Sequence, residues 1–237
     1  MKRIKHFVRN IPVIGPLLVR IYVWSAESRF SQSSSYWEDR YRSGGNSGDG
    51  SYGKLAEFKA EVLNALVVEY APESVIEFGC GDGNQLTLAN YPKYLGMDVS
   101  ETAIDICREK FRNDPHKSFS LMADYDGEIA DFVLSIDVIF HLVEDQVFDN
   151  YMRTVFAASS NLIVIYASNT DEQESPKLPH VRHRKFTTWV ENNETQWSLL
   201  RVIDNKFPYD VSSGTGSPAS FHVYSRLQNY EAATVAG

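Results

Sequence analysis

Cysteine is scarce, with only Cys80 and Cys107 in 237 residues. Two isolated cysteines exclude a disulfide framework and a zinc-type ligand pattern, and they suit a reducing compartment. Long apolar runs are also missing. Residues 11–24 come nearest, but Pro12, Gly15, Pro16 and Arg20 interrupt them, and the stretch is too short to span a bilayer comfortably. No Ala-x-Ala cleavage pattern follows, so it does not read as a secretory signal. An excess of positive charge is absent: 23 Lys and Arg stand against 31 Asp and Glu, a net charge of −8. That argues against general nucleic-acid binding, which needs clustered cations to neutralise phosphates, while leaving room for a local basic patch. There is no internal repeat. The length is enough for one sizeable core with appendages.

Against those absences, residues 75–83 stand out, Val-Ile-Glu-Phe-Gly-Cys-Gly-Asp-Gly. The apolar start predicts a buried strand with Glu77 near its end. Gly79, Gly81 and Gly83 let the backbone turn tightly and pass against a ligand, since no Cβ intervenes. A helix is expected next, from Asn84 through Leu88 to Asn90, with its free N–H groups facing the same ligand. Residues 94–100, Tyr-Leu-Gly-Met-Asp-Val-Ser, read as a second strand ending in Asp98. An acid about twenty residues after the loop can bind ribose hydroxyls. A dinucleotide fingerprint, Gly-x-Gly-x-x-Gly, needs glycine at position 84, where this chain has Asn84. Cys80 reads as a small loop residue rather than a nucleophile.

The rest of the core alternates. Leu55, Phe58, Val62, Leu66 and Tyr70 recur at three- and four-residue steps and predict a helix over 54–70, ended by Pro72. Ser100 is placed to cap a helix that runs to Phe111. Strands are expected at 74–78, 94–98, 119–124, 131–137 and 162–166, with a helix at 144–158. This alternation implies right-handed βαβ units and a parallel sheet, an α/β fold. The last third reads as a polar stretch, a helix over 186–194, and strands at 199–203 and 220–226 joined by a Gly/Ser/Pro-rich connection. Residues 227–237 read as a disordered tail.

The stretch from Val75 to Ser100 resembles motif I, (D/E)-x-G-x-G-x-G, and the following strand of the class I S-adenosylmethionine-dependent methyltransferases. The likeness runs from Tyr36 to Arg226. It implies a Rossmann-like, seven-stranded, mostly parallel sheet with an antiparallel final strand and helices on both faces. It also implies S-adenosyl-L-methionine as cofactor, lying beyond the carboxyl ends of the strands. The cofactor-binding residues so implied are Glu77, Gly79, Cys80, Gly81, Asp98, Val99, Ala123, Asp124 and Asp137. Asp124 would meet the adenine amino group, and Asp137 would lie near the reactive methyl. Residues 135–145 and the N-terminal Ile-Pro-Val-Ile-Gly-Pro-Leu-Leu resemble small bacterial methyltransferase-domain proteins of cell-surface polysaccharide synthesis. That implies a small molecule or an envelope or lipid-linked glycan as acceptor. No Asn/Asp-Pro-Pro-Tyr/Phe motif follows strand four, which favours O-methylation over amino methylation.

His141, just past strand four, is the candidate general base, because a hydroxyl acceptor must lose a proton and histidine can take one near neutral pH. A packing histidine is the alternative. The basic run His180, Arg182, His183, Arg184 and Lys185 could hold an anionic substrate, with the arginines clamping and His183 sharing the proton work. A solvated loop is the alternative. The aromatic stretch at 36–42, with Trp37 and Arg40 as substrate contacts, resembles a lid that folds over the cofactor. Four units result: an N-terminal segment (1–30), the lid (31–53), the methyltransferase domain (54–226) and the tail (227–237). Lys2, Arg3, Lys5 and Arg9 precede the apolar residues up to Trp24, a pattern suited to an anionic membrane surface. A terminal helix packed on protein is the alternative. The expected location is cytoplasmic, peripheral on the inner face of the membrane, with no metal and no nucleic-acid partner. A non-catalytic partner of the same fold and an NAD-dependent oxidoreductase are the competing readings.

Overall fold

The computed structural model describes residues 32–173 and 178–227. The expectations for residues 1–30, and for the tail beyond Leu227, lie outside the described residues. Seven strands form one sheet: β1 (Ser74–Phe78), β2 (Lys93–Asp98), β3 (Lys117–Leu121), β4 (Ala130–Ile136), β5 (Ser159–Ala167), β6 (Trp197–Ile203) and β7 (Ser220–Arg226). Their order is β3-β2-β1-β4-β5-β7-β6. The first five pair in parallel, and β7 runs antiparallel to both β5 and β6. Strand order reverses between β1 and β4, which opens a crevice at their carboxyl ends.

Alternation along the strands builds two cores. Leu162, Val164 and Tyr166 face one side of the sheet and Ile163, Ile165 and Ala167 the other. On the first side lie α2 (Gly53–Tyr70) and α3 (Glu101–Lys110), through Phe58, Leu63, Leu66, Ile104 and Cys107. On the other lie α4 (Asp145–Ala157) and α5 (Phe186–Asn193), through Phe148, Met152, Val155, Phe186 and Val190. Each such side chain contributes about 1.5–3 kcal/mol when fully buried. Helix α2 stops where Ala71 turns left-handed at φ 44° just before Pro72, which cannot continue a helix. Ser100 caps α3 by accepting from the Ala103 N–H at 3.1 Å, as its position implied.

Two expectations need correction. The helix after the glycine loop is a single 3-10 turn, Gln85–Leu88. Only residues 84–92 connect the loop to β2, Pro92 biases the preceding residue away from helix, and Asn and Thr are weak helix formers. Asn64 of α2 closes the turn by donating to Leu88 O and accepting from Asn90 N. β3 ends at Leu121, so Ala123 and Asp124 fall on a following turn, Met122–Asp124. The lid residues 31–53, for which no element is expected from the sequence, contain α1 (Ser33–Arg42) and a short 3-10 turn at Asp49–Ser51.

Candidate functional site

The carboxyl ends of β1, β2 and β4 meet α1 around a cavity of about 440 Å³, within the size range of small-molecule sites. Its floor is the glycine loop. Gly79 and Cys80 both donate their N–H to Met97 O, at 2.7 and 3.0 Å, which pins the loop to β2. Gly79 has φ 87°, and a Cβ there would come 2.3 Å from Val138 Cγ2. Gly81 has φ 58°, and a Cβ there would strike Ser47 Oγ at 2.4 Å. Both positions therefore demand glycine for conformation and for close approach.

Besides Glu144, four carboxyl or ammonium side chains line this cavity. Asp98, at the tip of β2, accepts from Gly81 N and Ser100 N, each at 2.9 Å, while burial raises its carboxyl to about 6. Glu77 accepts from the Tyr94 hydroxyl at 2.7 Å, and burial outweighs that bond and raises it to about 7. Asp137, just past β4, has φ 60°, uncommon for a residue with a Cβ. Its carboxylate meets Lys59 Nζ at 2.5 Å. Lys59 is buried on the same face of α2 as Leu55 and Leu63, and its ammonium lies 5.4 Å from the Tyr166 ring. Three carboxyl groups thus face one ammonium, a wall suited to a ligand with net positive charge.

The roof is α1 with its following loop, held at three places. Glu38 accepts from Ser100 Oγ and Thr102 Oγ1, both at 2.7 Å, and these bonds lower its carboxyl. An anion there also meets the N-terminus of α3. At the other end, Ser33 donates through N and Oγ to Glu144. Between them, Asp82 of the glycine loop accepts from Ser47 N at 3.0 Å and Tyr52 OH at 2.7 Å, and Asp82 N donates to Ser47 Oγ. Tyr41 is buried beneath, with its hydroxyl 3.0 Å from Ser47 Oγ.

His141 lies across the cavity from Asp98, on a 3-10 turn, Ile139–His141, after β4. Trp37 meets its ring edge-on at 4.8 Å, and the His180 ring stacks on it at 5.9 Å. Tyr36 stacks on the far side of His180 at 4.5 Å. His141 Nδ1 is 3.0 Å from His180 O. A carbonyl only accepts, so Nδ1 carries the proton and Nε2 is the basic nitrogen. Burial first, then the charge of neighbouring His180, Arg40 and His183, lowers this imidazole to about 4, so it is neutral at physiological pH.

The basic run is built differently. Arg184 donates to Leu142 O at 2.5 Å, Val143 O at 2.9 Å and Asp145 Oδ1 at 3.1 Å, and its guanidinium lies 4.6 Å from the Phe148 ring. Arg182 donates to Val143 O at 3.0 Å and pairs with Asp145 at 2.9 Å. His183 is buried with Nδ1 2.6 Å from Ser168 Oγ. Arg182 and Arg184 thus buttress the loop between His141 and α4, while His183 is tied to the residue after β5.

Of the residues expected from the sequence, Trp37, Glu77, Gly79, Cys80, Gly81, Asp98, Val99, Asp137 and His141 line the cavity. Arg40, His180, Arg182, His183 and Arg184 stand behind or beside its wall. Arg40 donates through Nε to Asn46 O at 2.6 Å and lies 5.5 Å from the Trp37 ring. Ala123 and Asp124 are exposed on the turn after β3, while their neighbour Met122 reaches the cavity. Lys59, Asp82, Gln85 and Glu38 went unanticipated. For Lys59 a signal existed: it falls four residues from both Leu55 and Leu63, on the apolar stripe of α2.

A family model described as a methyltransferase domain matches residues 53–200. No curated protein matches the sequence. Among solved structures, N-methyltransferase NodS from Bradyrhizobium japonicum WM9, in complex with S-adenosyl-L-homocysteine, aligns with TM-score 0.64 and 12% identity over 83% of this chain and 100% of its own. Magnesium protoporphyrin IX methyltransferase from Synechocystis PCC 6803, with bound S-adenosylmethionine, aligns with TM-score 0.58 and 14% identity over 84% and 99%. The methyltransferase domain of bacterial CtHen1 aligns with TM-score 0.58 and 18% identity over 73% and 99%. At these identities the likeness is one of fold.

Proposed function

The chain belongs to the methyltransferase-domain family, and from that premise we propose that it transfers a methyl group from S-adenosylmethionine to a hydroxyl oxygen of a small molecule or glycan. The cavity fits such a cofactor on its own chemistry. Asp98 stands at the ribose position beside the glycine loop, and the excess of carboxyl groups over Lys59 suits a cationic ligand. S-adenosylmethionine, when bound, supplies an electrophilic methyl group on a sulfonium.

The chain's residues then do the rest. The observation that carries the O-methylation reading is the contact of His141 Nδ1 with the His180 carbonyl, beside the cavity. With Nδ1–H given to His180 O, the free Nε2 lone pair is ready to take the acceptor proton as oxygen gains the methyl group. Beyond that proton the reaction mostly needs positioning. Trp37, which lines the cavity beside His141, offers an aromatic face on which a sugar or planar acceptor can lie. Arg182 and Arg184 act as positioning residues through the 142–145 backbone. The basic, apolar residues 1–24 would hold the enzyme against an anionic membrane near lipid-linked acceptors.

The test is a methyl-transfer assay with S-adenosylmethionine against envelope-glycan precursors and small hydroxyl compounds, read by mass spectrometry. Calorimetry with S-adenosylmethionine and NAD runs alongside. Methylated product with His141-dependent turnover is expected. Absence of S-adenosylmethionine binding with Asp98 intact would sink the reading. Deletion of residues 1–24 should release the protein from anionic vesicles; unchanged association would remove the membrane part alone.

A further inference from the structure

The surroundings of the cavity differ in sign from one end to the other. Around Lys59 carboxyl groups are in excess. On α1, beside His141, both acids are already engaged: Glu38 with Ser100 and Thr102, and Asp39 with Arg42. Arg40 is left. Its Nε donates to Asn46 O at 2.6 Å, and its guanidinium lies 5.5 Å from the Trp37 ring centroid. The loop after α1 is shaped to this side chain. Gly45 N donates to Arg40 O at 2.9 Å, and a Cβ at Gly45 would come 2.9 Å from Arg40 Cγ. Yet among the described residues nothing accepts from the Arg40 Nη atoms, and no carboxylate pairs with them. Arg182 and Arg184, by contrast, direct theirs at Leu142 O, Val143 O and Asp145. The guanidinium also stands within electrostatic reach of two rings. Burial first, and then positive neighbours that include Arg40, hold His141 and His180 below their ordinary range.

We propose that Arg40 binds a carboxylate or phosphate on the acceptor, so that the hydroxyl to be methylated belongs to an anionic compound, an acidic or phosphorylated sugar. The proposal deepens the methyl-transfer reading and rests on it. A guanidinium fixed through Nε and by an aromatic face presents a planar pair of Nη donors, which matches either oxyanion. Fixing that fork in advance lowers the ordering cost of binding. Opposite signs also sort the two ligands, the sulfonium toward the carboxyl groups and the anion toward Arg40. An oxyanion there offsets part of the positive field on His141, so the base gains basicity when a charged acceptor is in place.

Calorimetry at neutral pH on the full chain saturated with S-adenosylhomocysteine tests this with three probes that share one ring: glucuronic acid, glucose 6-phosphate and glucose. At least one anionic probe is expected to bind about tenfold or more tighter than glucose, and which one does so distinguishes carboxylate from phosphate. Arg40→Gln should abolish that preference with S-adenosylhomocysteine affinity unchanged, and Arg40→Lys should restore part of it. Equal affinity of the wild-type chain for all three probes overturns the proposal, as does a preference that survives Arg40→Gln. Loss of S-adenosylhomocysteine affinity in Arg40→Gln overturns it as well, because the guanidinium then serves the cofactor or the packing of α1. The wild-type comparison decides the matter even where the variant does not fold. A wild-type chain that binds no S-adenosylhomocysteine overturns the methyl-transfer reading and this proposal together, whereas cofactor binding without anion preference removes this proposal alone.

Discussion

At the tips of β1 and β2, the carboxyl groups of Glu77 and Asp98 line an open cavity; beyond β5, the arginines turn back onto the protein. Asp98 takes two backbone donors and still lines the cavity. Arg184, by contrast, places its hydrogen bonds on Leu142 O, Val143 O and Asp145. Both edges looked like binding sites in the sequence, because both concentrate one chemical type. What separates them is where the charged side chains end: at the strand tips they line the cavity, whereas in the long connection after β5 they are spent on the chain's own carbonyls and fix its path.

Four experiments would sharpen or break that contrast. The largest effect is expected from His141→Gln, which should lower turnover by roughly 10²–10⁴-fold, the usual share of a general base, with S-adenosylhomocysteine affinity unchanged by calorimetry. Next, Asp98→Asn should weaken S-adenosylmethionine by roughly 10²-fold, since charge-assisted hydrogen bonds contribute about 1.5–3 kcal/mol each. Arg184→Met should cost about 2–3 kcal/mol of stability through the three lost bonds. It should lower Tm by several degrees in a melt and leave cofactor affinity near wild type. A large affinity loss there, with Tm unchanged, would erase the distinction between the two edges.

The smallest effect is a pH dependence. Glu77, raised to about 7, and Asp98, raised to about 6, hold protons in the free protein that the unfolded chain releases near its ordinary values of 4.5 and 3.8. Their contribution to stability therefore falls as pH climbs through that window. A cationic ligand favours the ionised forms, so affinity should rise several-fold between pH 5.5 and 8, as calorimetry across pH would show (pH limits of roughly this range follow from the raised values). His141 works the other way. Held down to about 4, it stays neutral in the folded state, so its contribution is lost as pH falls from 6.5 toward 4. The turnover profile should show no acid limb near 6.5.

Much of this could be read from residues alone where burial dictates pattern. The strands of a two-sided parallel sheet are continuous apolar runs, so β1, β4 and β5 were visible, as was the Ser100 cap. The glycine loop carried its own spacing. Contacts between distant segments were not visible. Nothing in Tyr-Trp-Glu-Asp-Arg-Tyr announces that Glu38 will reach Ser100 and Thr102, more than sixty residues away. Nothing in a Gly/Ser-rich stretch announces that Ser47 will bond Asp82. The 3-10 turn at Gln85–Leu88 escaped because a short connection overrode the helix that a glycine loop suggests.

The two thiols acquire a use from where they sit. Cys80 within the glycine loop and Cys107 on α3 are both buried, and Cys107 Sγ lies 3.2 Å from Gly81 O. Cys107 is fully buried against the loop, so a maleimide or similar probe reaches it only when the loop parts from α3, whereas Cys80 lines the cavity and its thiol is raised well above its ordinary range by the neighbouring Cys107 thiol and by burial. Labelling rate therefore clocks the opening of this corner of the domain, a local excursion rather than global unfolding when it outpaces loss of the far sheet edge. Cys107 thus gives the chain its own reporter of that opening.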